Sequence, residues 1–223
     1  PQALMTSIAE MEKRIARAQI IMFPGGFSAG DEPEGSGKFI ATLFRNPVLA
    51  QALEDLLYKR DGLVLGICNG FQALIKLGLL PYGHAYSPTL TYNTIGRHLS
   101  RMVDTKIVSV MSPWFSNAKT GDIHTLAVSH GEGRFVASVE QIYELAAKGQ
   151  IATQYVAPDG AATYDSMYNP NQSVMAVEGI TSPDGRVFGK MAHTERYTGE
   201  TSFKNISGNK MQPIFAAGVA YFE

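Results

Sequence analysis

Cysteine is almost absent from this sequence: Cys68 is the single thiol in 223 residues. One cysteine excludes an internal disulfide and any metal centre built from several thiolates. A lone thiol beside nine methionines suits a reducing compartment, so a cytoplasmic location is expected. An excess of either charge is also missing, with 19 basic and 20 acidic residues giving a net charge of −1. That balance leaves no electrostatic footprint for nucleic acid or for an anionic membrane surface, and neither partner is expected. No apolar run approaches the ~18–20 residues of a membrane span, and no signal peptide is visible. Internal repeats, linkers and low-complexity stretches are lacking too, so residues 1–223 read as one domain. The chain opens on Pro1 and then a helical pattern, and a piece of a longer polypeptide is expected.

What is present is organised around Leu63-Val64-Leu65-Gly66-Ile67-Cys68-Asn69-Gly70-Phe71-Gln72. The apolar run 63–67 predicts a buried strand, and residues 69–77, closed by Gly78, predict a helix. A strand, a nucleophile and a helix, with glycine two residues to either side, make the nucleophile elbow, which presents one side chain at the top of a sheet. Gly66 and Gly70 are expected to be glycine because a Cβ at either would collide with the turn. At a helix N-terminus the Cys68 thiol is expected to have a depressed pKa and to react as thiolate. A cysteine in isolation reads more simply as a small core residue; the two glycines and the strand-to-helix switch favour the nucleophile.

Around this stretch, apolar spacing predicts helices over 5–18, 47–59 and 139–148, with Asn46-Pro47 as cap and first turn of the second. Strands are expected over 19–23, 89–93, 106–111, 123–129 and 151–156. A hairpin is expected from 174–181 and 186–191 across Ser182-Pro183-Asp184-Gly185. Residues 30–38 and 81–87 read as loops, and 130–133 as a glycine-bearing loop after a strand. Strand–helix alternation up to residue 78 argues a parallel α/β sheet with helices on both faces, to which the later meander adds antiparallel strands.

A cysteine nucleophile requires a base, and the base an orienting group. Of the five histidines, only His193 has a carboxylate two residues on, at Glu195. In extended chain, i and i+2 share a face, so Glu195 can hold one imidazole nitrogen and leave the other for the thiol. The oxyanion of an acyl transfer needs preorganised N–H donors. Asn69, following the nucleophile, supplies one, and the turn Pro24-Gly25-Gly26-Phe27 fits the second. Gly35-Ser36-Gly37-Lys38-Phe39 fails as a phosphate-binding loop, with Glu32 in place of the first glycine and Phe39 in place of the hydroxyl residue.

Pro-Gly-Gly-Phe-Ser (24–28), Gly-Ile-Cys-Asn-Gly-Phe-Gln (66–72), Ser-His-Gly-Glu-Gly-Arg-Phe (129–135) and His-Thr-Glu-Arg (193–196) occur in that order. Together they resemble the triad (class I) glutamine amidotransferases, and among them the glutaminase domains of phosphoribosylformylglycinamidine synthases. The resemblance implies a flavodoxin-like, mostly parallel sheet with a small antiparallel extension, here lacking the family's first strand. It implies a single glutaminase domain, the C-terminal part of a longer polypeptide. By it, Cys68, His193 and Glu195 are the catalytic triad, and Gly26 and Asn69 donate to the oxyanion. Gly25, Phe27, Gln72, His130, Gly131, Glu132, Gly133 and Arg134 bind glutamine. No metal or cofactor is implied in this chain; ATP and Mg²⁺ belong to the synthetase domain that receives the ammonia.

The chain departs from the family beside the histidine, where Ala192 and Thr194 replace the usual prolines, and after Asn169-Pro170-Asn171, where Gln172 replaces a common glycine. The loop carrying the base is therefore expected to be less rigid. Two other readings stand beside the glutaminase: a catalytically silent α/β regulatory or binding module of the same shape, and a cysteine hydrolase of another acyl substrate. Retention of all three triad residues argues against the first, and the 130–134 segment against the second.

Overall fold

The computed structural model describes residues 2–26, 37–81, 88–199 and 201–223. Its strands are β1 (Ile20–Phe23), β2 (Leu63–Ile67), β3 (Thr89–Tyr92), β4 (Leu99–Ile107), β5 (Ile123–His130), β6 (Glu132–Val136), β7 (Ile151–Tyr155), β8 (Val177–Thr181) and β9 (Val187–Lys190). Seven of them form one mixed sheet in the order β1-β2-β9-β8-β7-β4-β5, and β3 pairs with β6 in a small antiparallel sheet. The pairs β1–β2 and β2–β9 are parallel, whereas β9–β8, β8–β7, β7–β4 and β4–β5 run antiparallel. This is the α/β architecture with an antiparallel extension that the sequence predicts. The sheet also curls, because β5, last in strand order, bridges at Ala127 to His193, just beyond β9.

Local chemistry explains most elements. All five residues of β2 are buried, as an apolar run covered on both faces must be. Helix α1 (Gln2–Ile15) buries Ile8 and Ile15, one side of its stripe. The cap expected for α3 (Pro47–Glu54) is present: Asn46 Oδ1 accepts from Val48 N–H, with Pro47 at the first position. The remainder of that predicted helix, Asp55–Lys59, winds as one π turn. Helix α4 (Asn69–Lys76) follows the elbow, and α5 (Val139–Ala147) starts in a capping box made by Ser138 and Gln141.

Several elements differ from expectation. Lys38–Phe44 is a short helix, α2, entered from Gly37 at φ 81°; seven residues are too few to show a period. Of the strand expected at 106–111 only 106–107 is strand, the end of β4, and 108–111 are not; β4 instead starts at Leu99, where eight register pairs bind it to β5. Residues 132–136, expected largely as loop, form β6. Their Glu-Gly-Arg opening carries no strand signal, and pairing with β3 supplies it. The first half of the predicted hairpin starts as a 3₁₀ turn, Val174–Ala176, before β8. Ile214–Ala220 forms α6, where a Cβ at Gly218 would lie only 2.4 Å from the buried Trp114 ring.

The main hydrophobic cluster runs from Ile8 through Leu65, Phe71, Leu74, Trp114 and Phe188 to Ile214. Phe71 and Leu74 of α4 are wholly buried, each worth about 1.5–3 kcal/mol by area. These contacts pin the elbow helix against the sheet and so fix the position of Cys68.

Candidate active site

Cys68 directly follows β2, at φ 53° and ψ −107°, a positive-φ backbone that costs a non-glycine residue about 1–3 kcal/mol. The strain is held by its neighbours: Cys68 N–H donates to Lys190 O at 2.8 Å, and Cys68 O accepts from Gln72 N–H at 3.1 Å. Gly66 is required by the turn itself, since a Cβ there would lie 2.8 Å from the Gly70 carbonyl. Gly70 is required for a different reason from the one expected. Its Cβ would sit 1.9 Å from Phe23 O, so it is the end of β1, not the turn, that excludes a side chain.

The expected base and its expected orienting group meet. His193 is 2% exposed and its Nδ1 lies 2.5 Å from Glu195 Oε1. His193 N–H donates to Ala127 O at 2.8 Å, so β5 holds the backbone of the base. With Nδ1–H on the carboxylate, Nε2 carries the lone pair, and it is buried with no hydrogen-bond partner among the described residues. Burial works against the Glu195 carboxylate, but the His193 bond and charge, with Lys190 behind, hold it below the usual range. Gly25 is wedged between base and nucleophile: a Cβ there would fall 2.5 Å from His193 Cε1 and 3.3 Å from Cys68 Cβ.

The thiol does not have the depressed pKa expected at a helix N-terminus. Burial pushes Cys68 up to about 12, against a lowering by Asn69 N–H on the sulfur and by the Arg196 charge. Its Sγ–H points to Ser129 O at 3.7 Å. At 6% exposure, desolvation outweighs one amide and a short helix. The described state therefore holds a protonated nucleophile.

Beside Cys68 is a cavity of about 40 Å³ lined by Gly26, Asn69, Gln72, Ser129, His130, Gly131, Glu132 and Arg196. Gln72 Nε2 donates to Glu132 O at 2.5 Å, tying α4 to β6. Gly26 has φ 124°. His130 is buried, its Nδ1 3.0 Å from Asn93 Oδ1, and burial with the His193 charge pulls its pKa down to about 4. Of the residues expected to bind glutamine, Gly25, Gly133 and Arg134 do not line the cavity. A Cβ on Gly133 would be 2.7 Å from the His130 ring, which makes it a support for that ring; Arg134 pairs with Thr91 along β3. Phe27 lies outside the described residues.

Ser129, Arg196 and Asn93 were not assigned from sequence. Ser129 and Arg196 stand inside the motifs quoted above, where their residue types alone do not mark them. Asn93 is remote in sequence, and no local pattern marks it. The expected looseness at Ala192 and Thr194 is not what the structure has, since both are hydrogen-bonded to buried side chains. Gln172 does adopt φ 61°, where glycine would be unstrained, yet that loop braces β6: Asn171 Nδ2 donates to Gly133 O, and Ser173 Oγ accepts from Phe135 N–H. Among the described residues no three His, Cys, Asp or Glu side chains cluster as metal ligands, and no helix is long and apolar enough to cross a membrane.

Comparison with known proteins gives one family. A model described as the CobB/CobQ-like glutamine amidotransferase domain matches residues 2–222. The phosphoribosylformylglycinamidine synthase subunit PurQ of Aquifex aeolicus is 34% identical over 185 residues, 83% of this chain and 75% of that protein. The subunit of the same name from Methanococcus maripaludis is 37% identical over 191 residues, covering 83% and 68% respectively. Among solved structures, PurLQS from Thermotoga maritima superposes with a TM-score of 0.70 at 26% identity, over 92% of this chain and 80% of that one.

Proposed function

This chain belongs to the CobB/CobQ-like glutamine amidotransferase domain family, and from that premise we propose that it is a glutaminase of purine biosynthesis. It releases ammonia from the side-chain amide of glutamine for a phosphoribosylformylglycinamidine synthetase, fused or separate. There, ATP and Mg²⁺ support conversion of formylglycinamide ribonucleotide to its amidine. Both belong to the synthetase. The relatives named as subunits of that synthase support the pathway, and the likeness to a PurLQS structure supports the synthetase partner.

The observation that carries the chemistry is the disposition of Cys68, His193 and Glu195. Glu195 fixes the imidazole as the Nδ1–H tautomer, so Nε2 can take the Cys68 proton. The thiolate attacks the amide carbon, forming the C–S bond and an oxyanion. Asn69 N–H, already directed at the sulfur, and Gly26 N–H stabilise that charge. Protonated His193 passes its proton to the departing nitrogen; the C–N bond breaks and ammonia leaves. A water, deprotonated at Nε2, then splits the γ-glutamyl thioester to glutamate and restores the thiol.

A thiol near 12 is almost wholly protonated at neutral pH and unreactive. The described state is accordingly the resting one, and glutamine with the synthetase activates it. The test is ammonia release by the chain alone and with its synthetase. If the Gly25-Gly26 peptide presents its N–H to the oxyanion only in the complex, turnover there should rise by about 10²–10³, the scale of one oxyanion donor. Cys68→Ser should abolish it without unfolding the protein, and a diazo-ketone glutamine analogue should label Cys68 alone. Label on another residue, or substantial turnover by Cys68→Ser, would refute the assignment of the nucleophile.

A further inference from the structure

Beneath His193 lies a buried charged cluster that the reaction as written does not use. The side chains of Lys190 and Glu178 are 0% exposed, with Nζ 3.8 Å from Oε1. Glu178 Oε1 accepts Ala192 N–H at 2.6 Å, and Glu178 Oε2 accepts the Thr153 hydroxyl at 2.5 Å. Lys190 Nζ donates to Thr194 Oγ1 at 2.6 Å, and that hydroxyl donates to Gln212 Oε1 at 2.7 Å. The residues on both sides of His193 are thus tied to one ion pair. Lys190 also holds the nucleophile through its main chain, whose carbonyl accepts Cys68 N–H at 2.8 Å.

Stability does not account for this arrangement. Apolar side chains of similar volume commonly stabilise a fold as well as a buried ion pair does, or better. What the pair supplies is direction. A short turn leaving β9 would carry His193 wherever its flanking residues drift, and charge-assisted bonds at Ala192 and Thr194 remove that freedom. The Lys190 charge also acts on Glu195 from behind.

We propose that Lys190, through Glu178, Thr194 and Gln212, is the positioning centre that sets His193 Nε2 against Cys68. This rests on the assignment of Cys68 and His193 as the reacting pair. Lys190 touches neither glutamine nor the reacting atoms in this scheme; it acts through the base. Gln212 lies just before α6, which ties the C-terminal segment into the same device.

The test uses the full protein with its synthetase. Thr194→Val removes one hydroxyl at nearly constant volume and leaves both charges in place. A misplacement approaching 1 Å costs about 10²-fold in rate, so kcat for ammonia release should fall about 30- to 100-fold. KM for glutamine should stay within about threefold, because the interaction lost is made in the transition state. Labelling of Cys68 by the diazo-ketone should slow in parallel, and Thr194→Ser should recover most of the kcat loss; the thermal midpoint should fall by about a few degrees, because Lys190 Nζ and Gln212 Oε1 each lose a buried partner. Lys190→Met should reproduce the kcat defect, and Thr194→Val carries the test even where Lys190→Met does not fold. A kcat for Thr194→Val within about threefold of the unsubstituted protein, or a loss that serine does not recover, overturns the positioning role. Absence of turnover in the unsubstituted complex, or undiminished turnover in Cys68→Ala, would instead overturn the glutaminase reading.

Discussion

Replacing Gly25 by alanine places one methyl group between the base and the nucleophile. Its Cβ would lie 2.5 Å from His193 Cε1 and 3.3 Å from Cys68 Cβ. Carbon atoms rest at about 3.5 Å or more, so the imidazole must retreat by about 1 Å. It has little room to do so: the ring is 2% exposed, bonded to Glu195 at 2.5 Å, and its backbone is tied to Ala127. The accommodation therefore falls on the Cys68–His193 alignment. A displacement of that size costs about 10²-fold, or about 2.7 kcal/mol of transition-state stabilisation. Gly25 does not have a positive φ, so alanine adds no backbone strain and the fold should survive. Steady-state ammonia release by Gly25→Ala in the synthetase complex should show kcat down about a hundredfold with KM little changed. Wild-type kcat in a folded Gly25→Ala protein would show that His193, where it stands here, is not the base.

The raised Cys68 pKa sets the pH dependence of its reactivity. With the thiol moved from 9.0 to about 12, alkylation of the isolated chain by iodoacetamide at pH 8 should be about a thousandfold slower than for an unperturbed cysteine and still climbing above pH 10; a plateau near pH 9 would refute the desolvation argument. His124 and His130, both pulled by burial from 6.5 to about 4, set the acid limit. Their folded values lie below the unfolded ones, so the unfolded chain binds more protons between these pH values. Stability is thus complete above about 6.5 and is lost as pH falls through about 4. Urea midpoints measured from pH 7 to 4 should fall steadily, and the fall should shrink in His124→Gln and His130→Gln. A slope unchanged in both variants would place the acid sensitivity elsewhere.

The elbow, the His193–Glu195 pair and the α/β order were legible in the sequence because each rests on short-range pattern. An apolar run flanked by glycines makes strand, turn and helix locally, and His193 and Glu195 are two residues apart. Asn46 announced its helix for the same reason, since a cap acts within one turn. By itself, then, the sequence determined which residues could react and which elements carry them.

The curl of the sheet was decided only by the tertiary structure. It brings Ser129 and His130 of β5 to Cys68, though β5 is the last strand in order, and it hangs His193 on Ala127. Such pairings are long-range and leave no periodic trace. The protonation of Cys68 was likewise undetermined by the sequence. A helix N-terminus lowers a thiol pKa and burial raises it, and only packing sets how much water remains. Nor could sequence reveal why Gly70 is glycine or how Ala192 and Thr194 are held. Gly70 meets Phe23 O, 47 residues earlier. Ala192 and Thr194 depend on Lys190, Glu178 and Gln212, an ion pair and an amide that converge only when β8, β9 and the C-terminal segment pack together.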